Sequence, residues 1–145
     1  MRKPEVKTSY VNKMTVEDWD KLLKDETIFN RDSLIVLKRV MHSGNKAIST
    51  TSLSINYGGS VLYYSFEMDK LEKRLLPYVD AENVPSTDRW TILFKGYSDT
   101  IYSPMAEKFK IRPELYEALL KLDLSDLPLY DERMQKEMEN SKSKK

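Results

Sequence analysis

Gly58 and Gly59 stand side by side, two of only four glycines in the chain, with Ser60 directly after them. Glycine adopts positive φ at no steric cost, so adjacent glycines mark a tight reversal between two elements. The preceding stretch, 49–57, opens on the hydroxyls of Ser49, Thr50 and Thr51 and reads as a short helix that the glycines close. Ser60 can cap a longer helix running to about residue 76, where Pro77 forbids continuation. Within it Val61, Tyr64, Met68, Leu71 and Leu75 alternate steps of three and four and form one expected buried face. A short helix, a glycine turn and a longer helix make a helix-turn-helix pattern.

The flanking sequence extends that pattern on both sides. Thr15 stands three residues before Asp18, a capping box with Asp in the usual Glu place, and Trp19, Leu22 and Leu23 follow on one helical face. Asp32 is the expected cap of a second helix carrying Leu34, Leu37, Val40 and Met41, ended by Ser43, Gly44 and Asn45. Downstream, 80–88 reads as a polar loop. The β-branched and aromatic run 90–94 reads as a strand, 96–105 as a loop, and 108–111 as a second strand. Pro113 opens a last helix with Leu115, Ala118, Leu119 and Leu122. The expected class is α+β, a mostly helical winged-helix-like domain with a helix-turn-helix and a two-stranded β-hairpin. It spans 15–122, between a basic flexible arm (1–14) and a charged, partly disordered C-terminal tail (123–145).

Composition excludes several chemistries. The 145 residues carry 24 Lys and Arg against 23 Asp and Glu, a net charge of +1, so polyanion binding requires a local patch. The chain has no cysteine and one histidine, His42, which removes thiolate and histidine-rich metal sites; no metal and no cofactor are expected. No apolar run approaches the roughly 18 residues that span a bilayer, and no apolar signal-type segment opens the chain. The expected address is cytoplasmic, with no membrane partner. The four glycines do not form a Gly-x-x-x-x-Gly-Lys-Ser/Thr phosphate loop.

Five segments carry a resemblance: WDKLLKDETIF at 19–29, LSINYG at 53–58, LEKRL at 71–75, WTILFKG at 90–96 and IRPELYEAL at 111–119. In order and spacing they resemble the small N-terminal domain of Mcr-type, modification-dependent restriction proteins, where it commonly precedes an AAA+ GTPase motor. The last segment is similar to that family's Leu-Arg-Pro-Glu-Leu ending. The resemblance covers roughly residues 16–122 and implies a DNA-binding, target-recognition module without catalytic residues of its own. Family members often carry two consecutive tryptophans where this chain has only Trp90.

For double-stranded DNA, the longer helix offers Ser60, Tyr63, Lys70, Lys73 and Arg74 away from the expected buried stripe. Ser49, Thr50 and Thr51 start the preceding helix, and Lys95, Lys108 and Lys110 belong to the wing. Arg2, Lys3, Lys7 and Lys13 of the arm add sequence-independent attraction. Glu67, expected on the outer face, and Asp69 oppose phosphate. The alternative is a small protein-interaction factor on the same scaffold, an adaptor or a phage-encoded inhibitor of a bacterial defence nucleoprotein complex. Leu62 and Phe66, an i, i+4 apolar pair, are its candidate contacts.

Other signals have structural readings. Tyr57, Tyr63, Trp90, Tyr97 and Tyr102 could stack on an extruded base, yet aromatics at such positions more often pack in a core. His42 suits a helix C-terminus better than general-base work without a visible nucleophile. Glu5-Val6-Lys7 matches only the end of a nuclease metal motif. Arg112, with Glu114 and Glu117, sits at a strand–helix junction that suits packing as well as ligand contact.

Overall fold

The computed structural model describes residues 10, 13–42, 44, 46–81, 84–97 and 108–143, of 141–143 the backbone alone. Among the described residues, six α-helices and one hairpin run in the order α1 (Val16–Leu23), α2 (Arg31–Met41), α3 (Thr50–Tyr57), α4 (Val61–Leu75), β1 (Phe94–Tyr97), β2 (Lys108–Ile111), α5 (Pro113–Leu120) and α6 (Glu132–Ser143). The fold is α+β and mostly helical, as expected.

Local chemistry accounts for most helix starts. Thr15 and Asp18 form the reciprocal capping box, Asp18 N donating to Thr15 Oγ1 (3.1 Å) and Thr15 N to Asp18 Oδ2 (3.0 Å). These bonds hold the Asp18 carboxyl below its ordinary range. Ser49 and Ser60 cap α3 and α4 through Ser52 N and Tyr63 N. Gly58 and Gly59 have φ of +85° and +82°, the reversal their adjacency predicts. For α2 the cap is Asn30, not Asp32: Asn30 Oδ1 accepts from Ser33 N at 3.0 Å. Ile28 and Phe29 are buried and Phe29 N bonds back to Asp25 O, so the chain leaves that corner extended at Asn30. Asp32 falls within the first helical turn.

The first strand lies four residues later than expected. Residues 86–92 form a 3-10 helix, and β1 begins only at Phe94, reaching Tyr97 through what the sequence places in a loop. Ile92 and Leu93 are both fully buried. Neighbouring residues of a strand point to opposite faces, so a helical turn lets both enter the core. Thr91 Oγ1 donates to Asp88 O, and Arg112 N donates to Leu93 O, fixing that turn. The hairpin pairs Phe94 with Ile111, Lys95 with Lys110, Gly96 with Phe109 and Tyr97 with Lys108. Ile48, just before α3, bridges Phe109 on the outer side of β2. Helix, bridging residue, helix, turn, helix and hairpin then follow in winged-helix order.

α1 packs on α5, while α2 and α3 pack on α4. Trp19 meets Phe29 edge-on at 6.4 Å, and both are buried with Leu37, Leu53, Leu71 and Leu115. Each such side chain contributes roughly 1.5–3 kcal/mol on leaving water. On α4 the stripe holds for Tyr64, Met68, Leu71 and Leu75, but Val61 is exposed, and Glu67 and Glu72 are buried. α2 and the 86–92 turn both press on α4, widening its buried face to include these acids.

Both proposed flanks are partly built in. Tyr10 is buried under the Arg112 guanidinium (5.1 Å to the ring centroid), and Lys13 pairs with Asp80 at 3.1 Å. Arg2, Lys3, Glu5 and Lys7 lie outside the described residues. After residue 122 the chain does not leave the domain: Lys38 Nζ donates to Leu124 O (2.8 Å) and Leu127 O (2.6 Å). Asp131 N donates to Tyr57 O, while the Asp131 carboxylate accepts from Gly59 N and Met134 N, all at 2.8 Å. The backbone donors of a glycine turn and a helix start need acceptors, and Asp131 serves both. Among the described residues no helix is long and apolar enough to cross a membrane.

Candidate nucleic-acid interface

The residues expected to meet DNA fall into two groups. The first gathers at the hairpin. In a strand, residues two apart share a face, so Phe94, Gly96, Phe109 and Ile111 turn one way and Lys95, Tyr97, Lys108 and Lys110 the other. Lys95 sits directly across from Lys110, and Lys108 across from Tyr97. Like charges directly opposite are destabilising in an antiparallel pair. Lys110 Nζ lies 5.4 Å from the Tyr97 ring centroid, a cation–π contact. No acidic side chain of the described residues forms an ion pair with Lys95 or Lys110. The Ile48 bridge holds the start of α3 against β2, with Ile48 N to Phe109 O at 2.8 Å and the return bond at 2.9 Å. Thr51 is exposed there and Thr50 half-buried, whereas the Ser49 hydroxyl is engaged with Ser52 N and Oγ.

The second group lies on α4, and its cations are already matched. Lys70 pairs with Glu67 at 3.4 Å and Lys73 with Asp69 at 3.1 Å, each about one turn back. Arg74 is a correction: its Nε donates to Ile28 O at 2.7 Å, tying α4 to the turn before α2, so it is not an outward phosphate contact. Glu67 is a second correction, since it is only 9% exposed and does not sit on the outer face. Ser60 serves as the exposed cap, and Tyr63 is half-buried, edge-on to Tyr64 at 5.2 Å. Burial raises the Tyr63 and Tyr64 hydroxyls above the ordinary tyrosine range. Desolvation, reinforced by Asp69 and opposed by Arg89, pushes Glu72 up to about 8, so it carries its proton at neutral pH. The apolar members are uncovered, with Leu62 62% and Phe66 59% exposed.

The remaining candidates are absorbed into the fold. His42 Nδ1 lies 3.0 Å from Tyr57 Oη, joining the ends of α2 and α3. Tyr57 also packs at a tilt against Tyr130, ring centroids 6.0 Å apart, and half-buried Trp90 belongs to the 86–92 turn. Tyr102 lies outside the described residues. Arg112 is buried, its Nε donating to Thr91 O at 2.6 Å, which supports packing. Among the described residues no group of three acids or histidines is placed to hold a metal. Sequence reading had no means of finding the Lys95–Lys110 pairing while the first strand was placed at 90–94. It also missed Ile55, 69% exposed on α3, whose lone apolar side chain carries no periodic signal.

No protein-family model matches the chain, and no curated protein or solved structure matches it.

Proposed function

We propose that the protein is a non-catalytic module that binds double-stranded DNA in the cytoplasm, led by its hairpin rather than by α4. The observation that carries this reading is the cross-strand Lys95–Lys110 pair, extended by Lys108 and Tyr97 on the same face of the wing. Two lysines held opposite each other without a carboxylate partner among the described residues cost stability, and a phosphate backbone supplies a counter-charge. The exposed start of α3 at Thr51 adjoins this face through the Ile48 bridge and adds a hydroxyl and free backbone N–H groups. The helix-turn-helix followed by a hairpin, and the resemblance to the Mcr-type recognition domain, support the same reading. A link to restriction, and a preference for a modified base, are part of this proposal.

The test is fluorescence anisotropy of the full chain with a labelled duplex, unmodified and methylated. Three lysine–phosphate contacts give a log–log salt slope near −2.7, so affinity falls about fortyfold between 50 and 200 mM salt. Binding that ignores salt, or no binding at 50 mM, overturns the reading.

A second reading has its own observation. Leu62 and Phe66 are uncovered on α4 while the lysines beside them are internally paired, which suits an apolar protein surface better than phosphate. On this reading the protein is an adaptor or an inhibitor of a defence nucleoprotein complex. Leu62→Ser with Phe66→Ser then abolishes partner capture and leaves duplex binding intact.

A further inference from the structure

The outer line of α4 is apolar at one end and electrically matched at the other. Leu62, Phe66, Asp69 and Lys73 follow at steps of four, three and four, opposite the buried Tyr64, Met68, Leu71 and Leu75. Leu62 is 62% exposed, Phe66 59% and the adjoining Val61 39%, so the apolar end is the first two turns of the helix. Large apolar side chains gathered in water mark a contact surface.

Three features fit this surface to its own copy. A two-fold contact sets one patch against itself, so residue i of one chain meets residue j of the other and the reverse. Leu62 and Phe66, one turn apart, satisfy that relation when the axis crosses α4 between them, each Leu62 lying on Phe66 of the second copy. The same antiparallel crossing carries Asp69 of each copy towards the start of α4 in the other, whose first turn has no acid and whose helix dipole is positive there. Faces rich in one charge repel their copies, but Lys70 and Lys73 are matched by Glu67 and Asp69 of their own helix, and the whole chain carries only +1.

We propose that α4 packs antiparallel on α4 of a second copy, in a two-fold dimer centred on Leu62 and Phe66. This rests on the reading of the outer face of α4 as a protein-binding surface and names the chain itself as the partner. The three apolar side chains fill only part of the roughly 800 Å² that each partner gives a standard interface, so the dimer is weak, with Kd on the order of 100 μM. Duplex binding measured at submicromolar protein reads the monomer, so the hairpin reading stands or falls separately.

The experiment is analytical ultracentrifugation of the full chain from about 10 μM to about 1 mM. The average mass is expected to rise from 17.0 kDa towards twice that value. Leu62→Ser with Phe66→Ser is expected to weaken association at least about tenfold, and Leu120→Ser, at a leucine 59% exposed on α5, to change it by less than about twofold. Equal weakening by Leu120→Ser overturns the proposal. A mass fixed at 17.0 kDa also overturns it and leaves the face to a different protein, whose capture the same double variant tests. The chain has no cysteine, so Leu62→Cys and Phe66→Cys each carry a single thiol. Mixed under a mild oxidant, the two are expected to form a 62–66 disulfide at least about fivefold faster than either links to itself. Self-linking as fast as the mixture overturns the antiparallel dimer.

Discussion

The outer face of the hairpin and the outer face of α4 both carry lysines, yet they are charged surfaces of different kinds. On α4, Lys70 and Lys73 each stand about one helical turn from an acid and are compensated within the helix. On the hairpin, the ladder register sets Lys95 opposite Lys110 without an ion-pair partner among the described residues. A lysine count does not distinguish the two. Spacing along the helix neutralises one face, and pairing across strands concentrates charge on the other. The first leaves Leu62 and Phe66 as its uncovered features, and the second leaves the cations themselves.

The sharpest way to break this contrast is charge reversal on each face. Lys95→Glu with Lys110→Glu is expected to weaken duplex binding about a hundredfold or more at 50 mM salt, measured by anisotropy. A larger loss from the α4 pair would invert the comparison.

Glu72 tests the helix side through pH. Its folded pKa, raised to about 8, lies above its unfolded value, so the buried acid favours the protonated state. Its contribution is fully present below about pH 4.5 and is lost as pH rises towards 8. Glu72→Gln is therefore expected to leave stability nearly unchanged at pH 4 and to gain on the order of 2 kcal/mol at pH 9, read as Tm in calorimetry. An equal effect at both pH values would mean that Glu72 is charged in the fold.

Lys70→Glu with Lys73→Glu should change duplex affinity by less than about threefold, because the matched charges contribute little outward field. Smallest is Lys95→Thr, which removes the facing like charge and is expected to raise hairpin stability by about 0.5 kcal/mol while weakening DNA binding. A variant that loses stability would show that Lys95 already has a counter-charge.

Much of this was legible beforehand where the decisive contacts are local. Thr15 with Asp18, Ser49 and Ser60 cap the helices that their side chains can reach, and Gly58–Gly59 makes the reversal that its conformational freedom allows. Legibility ended where two distant segments compete for one residue. The run 90–94 has strand composition, but burying Ile92 and Leu93 together requires a turn that Arg112, far along the chain, helps to hold. Glu67 and Val61 exchanged their expected places because α2 and the 86–92 turn set the width of the buried face of α4. The candidate interface suffered most, since a strand displaced by four residues hides which lysines face each other.

The sequence by itself determined the helix-turn-helix, the capped helix starts, the winged-helix order and the absence of thiolate chemistry. Each depends on residue identity or on contacts within about one helical turn. Only the tertiary structure decided the strand register, the withdrawal of Arg74 to Ile28, the burial of Arg39 and the fastening of residues 124–131 onto Lys38 and the glycine turn. The physical reason is that these depend on which backbone donors, acceptors and apolar surfaces remain unmatched after the local elements form. That remainder is set by packing between segments far apart in the chain, such as Lys38 and Leu127, 89 residues apart.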